Sequence, residues 1–421
     1  MFARLLVVLG VSGAMLAANT AAAFPASRPA ATTTISYWTY QGELSTSGLS
    51  KIVAGFEKKY PNIRVNTDII PNANFFTKLS TAFAGNAAPD TFDMDYGDFV
   101  QYAANKELMP LRKVASSSEL KQLKSTFYPR AMTAFGYRGQ QEGLPQDFAD
   151  TFLFYNVDMF KKAGVSFPTL KWKWSNELAA AKKLTDASKG VYGIWEPVQF
   201  YEFYKVLHEA GGHFFTSNNK MDFDNSAGLK TINWLVNKTN KYHVMPTQAE
   251  TGGLSDTDML CDGKIAMDIT GDWEFSSLAS ECPKLHYNIQ VEAGNVTHGT
   301  HYFADAVVIN AHDSHAKAEA AYAFDKYYTT STLAATTRVN LYQQLLPLQN
   351  KKLEASYLKQ RPPADRSAVF TALKWAVAQP IIVDENQLTS VVSTDLANVQ
   401  DGSMSPQAAL NDMKSQIDKL H

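Results

Sequence analysis

Apolar positions in the first third of the chain alternate between two periods. Ile35 to Trp38 form a short apolar run that reads as a strand. Leu49, Ile52, Val53, Phe56 and Tyr60 then recur at helical spacing, and Pro61-Asn62 stops that helix. Ile63, Val65 and Ile69-Ile70 supply the next strand. Phe75, Phe76, Leu79 and Phe83 mark a second helix, closed by Gly85. Pro89 to Asp95 is a third strand, and Phe99, Tyr102 and Ala103 begin a helix ending near Leu108-Met109-Pro110. Strands alternating with helices predict an α/β fold with a parallel sheet covered by helices. Ligands of such sheets sit beyond the carboxyl ends of the strands. That rule points to Trp38–Glu43 and to Asp95–Asp98.

After Gly143-Leu144-Pro145 the pattern changes. Phe152 to Tyr155 is a continuous apolar strand, followed by a long helical section around Leu178 to Leu184, Phe200 to Ala210 and Leu229 to Val236. Strands follow at Ile265–Ile269, Tyr287–Val291 and Ala306–Ile309, and the end is helical from Phe370 to Leu420. No repeat and no Pro/Gly/Ser linker separates two sequential domains, which predicts lobes that exchange segments. The strand at Ile265–Ile269 ends abruptly at Thr270-Gly271, with Asp272-Trp273 directly behind. An indole at a strand end, beside a carboxylate, suits a ligand half apolar and half hydroxylic, as a sugar is. The other reading is a Trp that caps the core.

Composition narrows the function. Arg4 precedes an apolar run from Leu5 to Ala18, and Ala21-Ala22-Ala23 supplies an Ala-x-Ala site. Residues 1–23 therefore read as a cleaved secretory signal, with no Cys near the cut for a lipid anchor. Charge is balanced, 39 basic against 41 acidic side chains, so there is no electrostatic case for nucleic acid or an anionic membrane. The two cysteines, Cys261 and Cys282, read first as a disulfide in an exported protein and second as two buried thiols. Enzyme motifs fail on spacing. His208-Glu209 and His213 stand at i and i+5, not the i and i+4 of a zinc protease. Asp93, Asp95 and Asp98 lack the remaining ligands of a calcium loop. No Gly-x-Ser-x-Gly elbow occurs. A carboxylate pair of the glycosidase kind is open to any acid-rich cleft, so a secreted carbohydrate-active enzyme stays as the alternative class.

Ordered along the chain, several pieces resemble the extracellular solute-binding proteins of carbohydrate ABC importers, the class that includes maltodextrin-binding protein. They are Ile35-Ser36-Tyr37-Trp38, Phe56-Glu57-Lys58-Lys59-Tyr60-Pro61-Asn62-Ile63, Ala88-Pro89-Asp90, Gly143-Leu144-Pro145 and Phe154-Tyr155-Asn156. Gly263-Lys264-Ile265-Ala266-Met267 with Gly271-Asp272-Trp273, and Asp401-Gly402-Ser403-Met404-Ser405-Pro406, complete the set. The resemblance implies the two-lobed periplasmic-binding-protein fold, each lobe a mostly parallel sheet flanked by helices. It implies crossings near Leu144–Asp150, His298–Asp305 and Leu346–Asn350. The N-terminal lobe is then 35–145 plus 305–345, and the C-terminal lobe 146–304 plus 346–421.

The implied protein is a periplasmic monomer without cofactor or metal. It closes on a carbohydrate and presents it to a membrane permease; polyamine, peptide or organophosphate would be the non-sugar ligands. Carried over residue by residue, the implied ligand set begins with Trp38, Tyr40 and Glu43 after the first strand and Asp95 and Tyr96 after the third. Asp147 and Asp150 follow the crossing Pro, and Trp195 and Tyr201 lie in an aromatic loop-helix region. Asp272 and Trp273 match best. His301 and Tyr302 stand in the second crossing, where the family is usually Gly-rich.

Overall fold

The computed structural model describes residues 32–41, 46–218, 220–342 and 344–420. The expected signal, residues 1–23, and Glu43 lie outside the described residues.

The alternating pattern of the first third produces its strands where expected. β1 (Thr33–Thr39), β2 (Ile63–Ile69) and β3 (Thr91–Asp95) run parallel in the order β2-β1-β3. Alternate side chains of a strand point to opposite faces, so two helices are needed to cover them. Leu49, Ile52 and Phe56 of helix Thr46–Lys59 bury against Ile35 and Tyr37. Phe75 and Leu79 of helix Asn72–Ala84 bury against Phe92 and Met94 in a separate cluster.

A small hairpin, β4 (Gly136–Tyr137) and β5 (Gln140–Gln141), leads into β6 (Gly143–Asn156). Then come β7 (Met267–Gly271), β8 (Tyr287–Gln290), β9 (Thr300–Ile309) and the short β10 (Ala376–Val377). The strand expected at Ile265–Ile269 is displaced by two residues; Ile265 instead forms an isolated bridge with Tyr192.

β6 belongs to two neighbourhoods. Its first part, Gly143 to Asp150, pairs antiparallel with β9. Its second part, Thr151 to Asn156, lies between β7 and β8 and is antiparallel to both. β9 in turn lies between β3 and β6, antiparallel to each. The first neighbourhood is therefore mixed, with β9 running against β1, β2, β3 and β6, whereas the named strands of the second pair only antiparallel, β6 against β7 and β8, in place of the mostly parallel sheet expected there. A register shift between Pro145 and Asp147 bulges β6 where it meets β9. Such bulges re-aim side chains and favour sites next to ligands.

The C-terminal helices Glu385–Gln400 and Pro406–Ile417 close a third core with helices Phe200–Glu209 and Ser226–Asn240, built on Phe203, Leu207, Ile232, Leu396 and Met413. Cys261 and Cys282 form a disulfide with Cα atoms 5.7 Å apart. It joins helix Asp256–Cys261 to the end of helix Glu274–Glu281.

Candidate functional site

A cavity of about 530 Å³ opens where β3, β6 and β9 meet the end of β7. Strand alternation decides which side chains face it. From β9 the lining residues are His301, Phe303 and Asp305, and from β6 they are Asp147, Ala149 and Thr151. Each set is one face of a period-two strand.

The register then places three carboxylates in a row. Asp305 of β9 is directly opposite Asp95 of β3 on one side and Asp147 of β6 on the other. Directly opposed residues of antiparallel strands have Cα atoms roughly 4.5–5.5 Å apart. Asp95 also caps helix Tyr96–Ala104, its Oδ1 accepting from the Gly97 amide at 2.6 Å. Burial pushes the Asp95 carboxyl up to about 6, against the pull of the Gly97 amide. Burial, reinforced by the charges of Asp95 and Asp147, raises Asp305 well above the usual carboxylate range. The Tyr40 hydroxyl donates to Asp305 Oδ1.

An aromatic wall stands beside this row. Phe303 is its hub, with ring centroids 5.6 Å from Tyr201, 5.8 Å from Trp273 and 5.0 Å from His301. Trp273 is half-buried and leads into helix Glu274–Glu281. A Cβ on Gly271 would lie 2.0 Å from its six-membered ring. The glycine is thus needed for close approach of the indole.

Behind the wall lies a buried polar network. Glu202 lines the cavity; its Oε1 accepts from His301 Nε2 at 3.1 Å, and its Oε2 lies 2.5 Å from Lys205 Nζ. Burial works to raise the Glu202 carboxyl, but Lys205 and His301 together hold it below its ordinary value. The Tyr204 hydroxyl donates to His301 Nδ1 at 2.9 Å. Burial lowers the His301 imidazole below its ordinary value, against the pull of Glu202; a carboxylate can only accept, so the contact with Glu202 requires a proton on Nε2. Lys205 also pairs with Glu292, which accepts from Thr151 Oγ1 at 2.5 Å.

Of the sequence-derived ligand set, Tyr40, Asp95, Asp147, Tyr201, Trp273 and His301 line this cavity. Glu43 lies outside the described residues, and the structure places the remaining ones elsewhere. Trp38 lies under the Lys78 ammonium at 4.3 Å, and Tyr302 lies under the Arg130 guanidinium at 5.5 Å. Tyr96 packs edge-on against Phe135. Trp195 is packed against the core, with its backbone bridged to Asp268. Asp150 and Asp272 are buried side by side beneath the cavity, the Asp272 amide donating to the Asp150 carbonyl at 3.3 Å. Burial, with Asp272 and Glu292 adding to it, raises Asp150 well above the usual carboxylate range. Burial also pushes Asp272 up to about 7.

Sequence reading missed Phe303 and Asp305, although alternation along β9 from His301 leads to both. Gln41 lies in the Trp38–Glu43 segment that the strand-end rule indicated, but Asn72, Asp256 and Gln344 were missed, and only the packing of separate segments brings them to the cavity.

Residues 42–334 match the family described as bacterial extracellular solute-binding protein. The chain belongs to that family. An ABC substrate-binding protein from Listeria monocytogenes, solved in complex with cycloalternan, is 35% identical and superposes with a TM-score of 0.86 over 92% of this chain and 98% of that one. The arabinooligosaccharide-binding protein of Bacillus subtilis (strain 168) is 26% identical over 217 residues, 51% of this chain. That match spans about half the relative's length, 49%. A maltose-bound T. maritima protein, 16% identical, shares the fold with a TM-score of 0.79 over 92% of this chain and all of its own. The solute-binding family and these neighbours share the two-lobed α/β architecture. Their names describe binding proteins rather than enzymes. Among the described residues no helix is long and apolar enough to cross a membrane.

Proposed function

We propose that this solute-binding protein is the exported capture component of an ABC importer. It takes a carbohydrate into the cavity between its lobes and delivers it to a membrane permease. The observation that carries the reading is the pairing, in one cavity, of an aromatic wall (Trp273, Phe303, Tyr201) with the row Asp95-Asp305-Asp147. Aromatic faces meet the C–H faces of a pyranose, and carboxylates accept from its hydroxyls. Buried acceptors give specificity, because a ligand lacking a hydroxyl leaves them unpaired. A cavity of this volume is in the range of small-molecule sites. The sugar named for the Listeria relative supports an oligosaccharide.

The lobes of this reading are 35–145 plus 305–345 and 146–304 plus 346–421, hinged where β6 and β9 pass between them. The signal-like pattern of residues 1–23 supports export to the periplasm; the reading takes the protein as a monomer. A thermal-shift screen against mono- and oligosaccharides tests the reading, since a ligand that binds only the folded form raises the midpoint by mass action. No shift from any sugar would overturn it. Release of reducing ends from a bound glycan would instead favour the secreted enzyme.

A further inference from the structure

Two arginines are fully buried, Arg338 and Arg366. Arg366 lies over the rings of Phe275 and Tyr357 and donates to the Pro362 carbonyl at 2.7 Å. Arg338 instead holds three glutamine side chains. Its Nη1 donates to Gln41 Oε1 at 2.9 Å and to Gln344 Oε1 at 3.3 Å, and its Nη2 donates to Gln146 Oε1 at 3.2 Å. The three come from segments far apart in sequence: the chain just after β1, the bulge of β6, and the stretch beyond residue 342. The guanidinium also lies 4.8 Å from the Tyr328 ring, and Asp147 and Asp93 stand close enough to interact with its charge. Arg338 opens a single turn of π-helix, Arg338–Tyr342, an irregularity frequent at functional sites. Its own carbonyl accepts from the Gln344 amide at 3.3 Å.

A guanidinium only donates, so the amide atom that meets it must be the oxygen. The contact with Arg338 therefore fixes which way each glutamine amide is turned. Gln146 uses its other end within the protein, Nε2 donating to the Ala306 carbonyl at 3.3 Å. Gln41 and Gln344 instead line the cavity, which Arg338 itself does not. Gln41 is 3% exposed, and its Nε2 has no hydrogen-bond partner among the described residues. A buried donor left unpaired is destabilising, and an oxygen brought into the cavity relieves it. We propose that Arg338 is a positioning residue of the sugar site, turning the Gln41 and Gln344 amides so that both offer N–H donors to lone pairs of the saccharide. This rests on the carbohydrate reading above and deepens it, adding two oriented amides to the aromatic wall. A sugar without an oxygen at that place leaves the amides unpaired, so Arg338 sets selectivity through side chains other than its own.

Variants that keep the shape and change the donors test it. Gln41→Glu and Gln344→Glu each leave an oxygen for Arg338 but remove the N–H donors. Arg338→Lys keeps the charge and loses the planar fork that holds several acceptors at once. Titration calorimetry uses maltotriose, isomaltotriose, cellotriose, xylotriose and arabinotriose as probes. For the tightest binder of that panel, each Glu variant should bind on the order of tenfold more weakly, one decade in Kd. Arg338→Lys should weaken binding by a similar factor, yet add little in the Gln41→Glu/Gln344→Glu background, where no amide remains to be turned. An arginine with a merely structural role would cost the same in both backgrounds, and that result would overturn the inference. Unchanged affinity in both Glu variants would overturn it too, with the carbohydrate reading intact. A crystal structure of the unaltered protein with the same sugar decides the matter even if every variant fails to fold. Saccharide oxygens are expected within hydrogen-bond distance of both Nε2 atoms, and a sugar that leaves either amide unpaired would sink the inference. Silence from the whole panel would also overturn it, and the general sugar screen would then decide the parent reading.

Discussion

Trp273 owes its position to a missing methyl group. The indole lies so close over Gly271 that any Cβ there would overlap it, and Phe303 meets it from the side at 65°. Neither contact buries the ring completely, so one face is left for the cavity. Trp273→Ala should therefore weaken sugar binding by about 2 kcal/mol or more, the range of interface hot spots. Folding should lose less than the roughly 3–5 kcal/mol typical of a fully buried Trp. Titration calorimetry and the thermal midpoint separate the two quantities; preserved affinity with a collapsed midpoint would make Trp273 a core residue. Gly271→Ala is the companion variant. It keeps the indole but forces it off the strand end, so affinity should fall by a similar factor while indole fluorescence shifts. An unchanged affinity would mean that the ring's placement is irrelevant to the ligand.

At the scale of elements, the Cys261–Cys282 disulfide ties together the two short helices that flank β7, its ends 21 positions apart in sequence. Neither helix is long enough to be stable by itself, so the crosslink braces the turn that carries Trp273. Replacing both cysteines by Ser should cost about 3 kcal/mol by the loop-entropy estimate. Denaturant unfolding measures the loss, and thiol titration of the unfolded, unreduced protein should find no free thiol. An unchanged unfolding midpoint would make the crosslink ornamental. The strands β1, β2 and β3 were legible in the sequence because each is a short run set between helices of clear 3.6-residue period; burial alternates along β1, whereas four of the five residues of β3 are buried. β6 and β9 were only half legible. Phe152–Tyr155 and Ala306–Ile309 read as strands through their apolar runs, but the polar stretches Gln146–Asp150 and Thr300–Asp305 did not. Those polar stretches carry the carboxylates, imidazole and phenyl ring of the cavity, so function erased the apolar signal there. Alternation still governs them: His301 faces the cavity and Tyr302 does not, Asp147 does and Asp150 does not. The cross-strand row at Asp305 needed the register, which no local pattern supplies.

On the scale of the whole molecule, a second group of acids lies where helix Tyr96–Ala104 meets helix Glu385–Gln400. Asn386 Nδ2 donates to Asp98 at 3.3 Å, and Gln379 Nε2 donates to Glu385 at 2.5 Å. Burial, with Asp95 adding repulsion, pushes Asp98 up to about 7. Burial pushes Glu385 up to about 8, opposed by its hydrogen bonds to Gln379 and Thr389 and aided by Asp95 and Asp98. Carboxyls whose folded pKa lies above the unfolded value bind more protons in the native state. Stability is then greatest below the unfolded value near 4 and falls as pH rises through about 8. His208 and His301, lowered by burial, work the other way only below their ordinary 6.5. The thermal midpoint should therefore drop by a few degrees, to order of magnitude, between about pH 5 and pH 8. In Glu385→Gln that slope should flatten, and a slope identical to the unaltered protein would remove Glu385 from the account. The same seam joins segments that the proposed lobe division assigns to different lobes, 96–104 to the first and 385–400 to the second. Only β6, β9 and the chain near Leu346–Asn350 connect those lobes covalently, and strands that pass between two bodies can bend at a few residues. Ligand bridging the row at Asp95-Asp305-Asp147 and the wall at Trp273 would hold both sides together. Small-angle scattering with and without the sugar found by the screen should show a smaller radius of gyration at unchanged mass. An unchanged radius at saturating ligand would mean that the cavity is a rigid pocket, with binding uncoupled from any motion a permease could sense.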